Sequence, residues 1–260
     1  MNFKVVIPAR YASTRLPGKP LLEIDGKPMI QHVHERAVES GADQIIIATD
    51  DQRIAACVRG FGGEVCLTDS RHRSGTDRIA EVVKQYAWAA DEIVVNLQGD
   101  EPDMASTLLH QVAVDMDNHP DAVMTTLSAD LSDAAQLFDP NVVKLVTDAR
   151  GYALYFSRAP IPWNRDEFAN RERLPTSVQG YRRHIGLYAY RAGFLDRYIQ
   201  WQPAPLELVE SLEQLRVLWH GERIHVSAAA EMPGQGVDTQ QDLDLLNQRF
   251  QQRNRPPASE

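Results

Sequence analysis

Phe3 to Leu21 reads FKVVIPARYASTRLPGKPL, an apolar run that gives way at once to small residues, prolines and cations. Phe3–Pro8 has the composition of a first strand, and the loop behind it carries Arg10, Arg15 and Lys19. Ala9, Ala12 and Ser13 keep that loop's backbone open to close approach, while prolines at 8, 17 and 20 limit its freedom. Guanidinium groups make planar, bidentate contacts to phosphate, and an ammonium adds a mobile point charge. The loop therefore suits a polyphosphate better than it suits a bare surface turn. It is neither a dinucleotide fingerprint nor a Walker A loop: no G-x-G-x-x-G is present, and Gly18-Lys19 precedes a proline without the upstream glycine.

Outward from this stretch, apolar runs alternate with helical periodicity. Pro28–Ser40 sets Met29, Ile30, Val33, Ala37 and Val38 on one stripe and stops at Gly41. Ile45–Thr49 is an unbroken apolar strand, the kind found in parallel sheets covered on both faces. Asp51–Arg59 reads as a helix, Glu64–Thr68 as a strand, Thr76–Tyr86 as a helix and Ile93–Leu97 as a strand. This rhythm predicts an α/β fold with a doubly wound, mostly parallel sheet, Rossmann-like in layout. Ligands of such sheets bind beyond the strands' carboxyl ends. The opening loop, Ala48-Thr49-Asp50-Asp51 and Gln98-Gly99-Asp100-Glu101-Pro102 all follow strands, so they are expected to converge.

Further on, Ala122–Ala129, Val142–Val146, Tyr152–Arg158, His184–Tyr190 and Arg223–Ala228 read as strands. Leu206–Trp219 and Thr239–Phe250 read as helices. A polar excursion runs from Pro162 to about Arg183. Residues 1–253 are expected to form one domain, with an antiparallel excursion near 155–190, and 254–260 a disordered tail.

The net charge of −9 disfavours nucleic acid and anionic membrane surfaces as partners. No apolar run approaches the ~20 residues of a membrane helix. The start lacks a signal-peptide pattern, so a cytoplasmic location is expected. Cys57 and Cys66 are expected to be free thiols.

Two carboxylates invite a metal. Asp100 follows a strand, where it can reach a phosphate-bound Mg²⁺, yet an acidic turn explains it equally well. Asp238 in Gly236-Val237-Asp238-Thr239 is either its partner or the N-cap of the helix from Thr239. Chemistry leaves both readings open. Ser74-Gly75-Thr76-Asp77-Arg78 opens a helix, and either caps it or meets a base or ribose. His184 reads as a core histidine or a ligand, and Arg158 as a surface charge or a carboxylate partner.

The segments IPARYASTRLPGKPL, SGTDR, QGDEP, YFSRAPIPW, RRHIGLYAYRAGFL, WQPAPLELVESLEQLRVLW and PGQGVDT, in this order from about Phe3 to Phe250, closely resemble the 3-deoxy-D-manno-octulosonate (Kdo) cytidylyltransferases. Arg165–Val178 matches none of that family's patterns. The resemblance implies transfer of CMP from CTP to the anomeric 2-hydroxyl of Kdo, with release of pyrophosphate, Mg²⁺ as cofactor and a homodimeric, cytoplasmic enzyme of lipopolysaccharide biosynthesis. It implies CTP contacts from Pro8, Ala9, Arg10, Ser13, Arg15, Lys19, Ser74, Arg78 and Gln98. It places Gln98, Arg158, His184, Tyr188, Glu207 and Glu210 on Kdo, and makes Asp100 and Asp238 the metal ligands. Lys19, Arg10, Arg15, Asp100 and Asp238 would carry catalysis. The apolar Ile161-Pro162-Trp163 within Pro160–Arg183 is expected at the dimer contact. Competing readings are a cytidylyltransferase for another 2-keto sugar acid, such as a sialic acid, and a nucleotide-binding regulator without turnover. Asp100 and Asp238 speak against the regulator, and the missing glycine fingerprint speaks against a dehydrogenase.

Overall fold

The computed structural model of the protein describes residues 1–12, 16–72, 74–169 and 177–253. Strand β1 (Lys4–Pro8) is followed by a two-residue antiparallel pair, β2 (Glu23–Ile24) and β3 (Lys27–Pro28). Helix α1 (Met29–Glu39) leads to β4 (Gln44–Thr49), α2 (Gln52–Gly60), β5 (Glu64–Leu67), α3 (Gly75–Gln85) and β6 (Ile93–Asn96). β4 lies parallel between β1 and β5, and β6 lies parallel on the other side of β1. The chain thus builds away from β1 in one direction and then returns to build in the other. That reversal puts a topological switch point between β1 and β6.

The second half adds α4 (Ser106–Asn118), β7 (Met124–Asp130), α5 (Ala134–Phe138), β8 (Lys144–Thr147), β9 (Ala153–Ser157), β10 (Arg182–Arg191) and α6 (Ala192–Tyr198). It closes with α7 (Pro205–Glu210), α8 (Gln214–Trp219), β11 (Ile224–Ala228) and α9 (Gln240–Arg253). β10 enters the sheet between β6 and β7, antiparallel to both, and β11 lies parallel beyond β7. β8 and β9 extend antiparallel from β10. The mostly parallel, doubly wound sheet expected from the alternation is present, with an antiparallel strand set into its interior.

Side chains of β1 alternate between two cores, as a strand's pleat dictates. Val5 and Ile7 pack with Ile30 and Val33 of α1 and Leu108 and Val112 of α4. Val6 points the other way, to Ile79 and Val82 of α3, Leu195 of α6 and Leu215 of α8. All three β1 residues are fully buried, each such side chain contributing roughly 1.5–3 kcal/mol. Helices therefore cover both faces and leave the strand ends for ligands. Cys57 and Cys66 are free thiols, and burial pushes the Cys66 thiol up to about 11.

One element departs from expectation. The periodicity of Leu206–Trp219 predicts a single helix, but the chain breaks into α7 and α8 at Ser211, which is left-handed at φ 52°. The break has a physical reason in Glu207. Its carboxylate accepts from the Ala204 amide at 3.0 Å, closing off the amino end of α7. It also takes a bidentate pair from Arg216 on α8, at 2.7 and 2.5 Å. A straight helix would place residues 207 and 216 more than two turns apart, about 13 Å along the axis, so the pair requires the bend.

Candidate active site

The expected convergence occurs. Beyond the carboxyl ends of β1 and β6 lie two adjoining cavities of about 350 and 380 Å³, which share Arg10, Gly75 and Gln98. The smaller is walled by Pro8, Ala9, Ala12, Lys19, Gly99, Asp100 and Asp238. The larger is walled by Asn96, Glu101, His184, Tyr188 and Glu213, among others. Two glycines let the loops meet. A Cβ on Gly99 would stand 2.8 Å from the Pro8 carbonyl, so only glycine brings the 98–102 loop against β1. Gly18 is left-handed at φ +70°, and a Cβ there would crowd the Tyr11 ring at 3.1 Å.

Gly18 starts a single 3₁₀ turn that aims Lys19 inward. Lys19 Nζ donates to Asp100 Oδ2 at 2.7 Å, to the Val237 carbonyl at 2.7 Å and to Asp238 Oδ1 at 3.3 Å. Two carboxylates 138 residues apart in the sequence therefore converge on one cation. Asp238 is not the cap of α9. Thr239 Oγ1 accepts from the Asp242 amide at 3.2 Å, and Asp242 accepts in return from the Thr239 amide at 2.8 Å. With the capping done by its neighbours, the Asp238 carboxylate faces the cleft. Hard oxygen donors brought together beside a cationic loop fit a Mg²⁺ that also binds phosphate oxygens.

Glu101, adjacent to Asp100, is a site residue that sequence reasoning passed over. Burial, with Asp100 and Asp238 nearby, pushes its carboxyl up to about 8. Its only signal in the sequence was its place in the QGDEP turn. Glu213, also unforeseen, accepts from Thr76 Oγ1 at 3.1 Å, and burial raises its pKa as well.

The larger cavity draws a wall from β10. His184, Gly186 and Tyr188 alternate onto the cavity face of this strand, whose register slips between Ile185 and Tyr188. Thr126 Oγ1 donates to strand carbonyls at 2.8 and 3.0 Å, so its oxygen accepts from His184 Nε2, 3.0 Å away. The imidazole's other nitrogen, Nδ1, is left as an acceptor. Burial lowers the His184 pKa to about 3, so the ring is a neutral hydrogen-bonding group at physiological pH.

Other expected residues are engaged within the protein itself. Ser74 caps α3, accepting from the Asp77 amide at 3.1 Å, while Asp77 accepts from the Ser74 amide at 3.2 Å. Arg78 is fully buried, bonded to Thr68 and 3.3 Å from Asp50, and is in neither cavity wall. Arg158, expected at the sugar acid, is held by protein partners in this structure. It donates to the carbonyls of Glu210 and Pro140, each at 2.7 Å, and its own amide donates to Glu210 Oε2 at 2.9 Å. Glu210 is further occupied by Ser157 Oγ at 2.7 Å. Arg158, Glu207 and Glu210 thus brace β9 and the bend at Ser211, and none of them walls either cavity. Ser13 and Arg15 lie outside the described residues.

Glu207→Ala should accordingly act on stability. Removing one member of a buried ion pair typically costs about 3–5 kcal/mol. Urea unfolding should show a loss of that order, with KM for the acceptor little changed in the protein that remains folded. A raised KM at wild-type stability would return Glu207 to the substrate.

The cytidylyltransferase family model matches residues 4–224. A 3-deoxy-manno-octulosonate cytidylyltransferase of Idiomarina loihiensis is 58% identical, over 94% of this chain and 96% of the relative. One of Aeromonas hydrophila is 59% identical, over 95% and 98%. A solved CMP:2-keto-3-deoxy-manno-octonic acid synthetase in complex with CTP aligns at a TM-score of 0.87 and 42% identity, covering 97% of this chain and all of that one. A 4-diphosphocytidyl-2C-methyl-D-erythritol synthase of Anaerococcus prevotii, at TM-score 0.59 and 14% identity, shares the fold.

Proposed function

The chain belongs to the cytidylyltransferase family, among the 3-deoxy-manno-octulosonate cytidylyltransferases, and on that footing we propose that it transfers CMP from CTP to the anomeric 2-hydroxyl of Kdo. The carrying observation is the Lys19–Asp100–Asp238 centre at the switch point, with a cation-lined cavity on one side and a polar cavity on the other. The smaller cavity takes the triphosphate. There Arg10 and Lys19 meet phosphate oxygens, Lys19 turning from its carboxylates to the ligand. The larger cavity takes the sugar acid, with Gln98, His184 and Tyr188 as its polar contacts.

The 2-hydroxyl oxygen forms a bond to the α-phosphorus in line. The α–β bridging P–O bond breaks, pyrophosphate leaves with the electron pair, and the hydroxyl proton passes to solvent. Such a transfer rests on positioning and charge neutralisation. Asp100 and Asp238 are the residues that would hold Mg²⁺, which when bound neutralises phosphate charge and helps acidify the attacking hydroxyl. Arg10 and Lys19 stabilise the charge that grows on pyrophosphate, a role a neutral loop could not fill.

Incubation with CTP, Mg²⁺ and Kdo should release pyrophosphate and yield CMP-Kdo. Turnover with a sialic acid but not Kdo would move the chain to its nearest competing activity, and no turnover with any acid would favour a regulator.

The reading extends to a cytoplasmic homodimer that supplies activated Kdo for lipopolysaccharide assembly. Among the described residues no helix is long and apolar enough to cross a membrane. Trp163, 55% exposed, and Leu154, 62% exposed, are apolar surface suited to a subunit contact. Sedimentation at micromolar concentration should give a dimer, and a monomer would remove that claim.

A further inference from the structure

Three side chains converge where the transfer chemistry has no use for them. α4 runs back from the end of β6 and finishes near the start of β7, at the sheet edge opposite the cleft. There Asp115 and His119, one helical turn apart, meet His225 of β11. His225 Nδ1 lies 2.7 Å from Asp115 Oδ2, and His119 Nδ1 lies 3.2 Å from Asp115 Oδ1 and 2.8 Å from the Asp115 main-chain carbonyl, a contact it gives up if it takes a metal. One carboxylate thus offers an oxygen to each imidazole. The two rings stack with centroids 3.5 Å apart and planes inclined by 15°. Donor atoms from all three residues fall within 4.8 Å of one another.

The seat is built into the fold. Asp115 and His225 are only 8% and 7% exposed. Gly151, at φ +87°, comes so close to His225 that a Cβ would stand 2.7 Å from Nε2. Only a residue without a Cβ fits against that ring, whose Nδ1 is the nitrogen that faces Asp115.

We propose that Asp115, His119 and His225 form a binding site for a late first-row divalent cation of the Zn²⁺ class, fastening the end of α4 to β11. Two imidazoles and one carboxylate are borderline-soft donors, suited to Zn²⁺ or Co²⁺, whereas Mg²⁺ prefers an all-oxygen set. Metal–ligand bonds of ~2.0–2.2 Å put tetrahedral donors roughly 3.3 Å apart. Asp115 already keeps 3.2 Å to His119 Nδ1, and its 2.7 Å hydrogen bond to His225 opens as the ion enters. Parallel stacked planes cannot aim both lone pairs at one point. His119, the more exposed ring at 29%, turns as the ion enters, while His225 stays in its seat. Water completes the coordination.

The test uses the full chain, stripped with a chelator and titrated with Co²⁺ and then Zn²⁺. One equivalent should produce the visible absorption of cobalt bound by nitrogen. A hundredfold excess of Zn²⁺ over Kd should raise Tm by about 5 °C or more. His119→Ala should lose both signals while keeping its Mg²⁺-dependent turnover, and Asp115→Asn should weaken both. Asp100→Asn should keep both, which separates this site from the cleft. A wild-type protein without the cobalt band, or a His119→Ala protein whose band and affinity match wild type, overturns the assignment.

Discussion

Lys19→Ala is expected to lower kcat by about a hundredfold or more and to raise KM for CTP together with it. On the proposed reading the side chain meets charge that is present on bound triphosphate and grows as pyrophosphate departs, so both constants move. Loss of one preorganised electrostatic donor usually costs on the order of 10²–10³ in rate. The substitution should cost little in fold stability. Lys19 pairs with Asp100 and Asp238, which are 37% and 51% exposed, and solvent screens the two carboxylates once the ammonium is gone. Steady-state pyrophosphate release and a thermal melt on the same preparation check both halves. Unchanged kinetics would reduce the opening loop to surface decoration.

Asp238→Asn should leave the fold intact and collapse turnover. Asparagine keeps the shape but removes the full charge that, on the proposed reading, would hold a hard dication. The amino end of α9 does not depend on it, since Thr239 and Asp242 close that end by themselves. The expected outcome is a near wild-type Tm, a loss of at least about two orders of magnitude in kcat, and partial recovery at raised Mg²⁺. Asp100→Asn should behave alike. The double variant should be little worse than either single one, because groups that act as a unit are not additive. A fully active Asp238→Asn protein would leave Asp100 as the sole carboxylate proposed for the metal.

Much of the first hundred residues can be read directly from pattern. β1, β4 and β6 are short apolar runs buried on both faces, and each ends in an unusual loop, so strand, sheet type and ligand edge come together. The second half is harder because its decisive contacts are long-range. The heptad-like spacing of Leu206, Leu208, Val209, Leu212 and Leu215 cannot reveal that Glu207 pairs with Arg216 and bends the helix. Arg158 and Glu210 look like free charges in the sequence, yet each is occupied by the other's segment. Ser74 follows its local rule and caps, as S-x-x-D at a helix start does. Glu101 and Glu213 escaped notice since nothing local distinguishes a carboxyl that will be buried in a cavity wall from one that will be solvated.

The antiparallel entry of β10 bears on how such enzymes diversify. The loop after β1, the start of α3 and the turn after β6 come from about the first hundred residues, whereas His184, Gly186 and Tyr188 sit on the cleft-facing side of one later strand. A lineage can exchange that single strand and reshape one wall while inheriting the cation-lined half unaltered. Drift in acceptor choice then needs no new scaffold, only a strand that still hydrogen-bonds to β6 and β7.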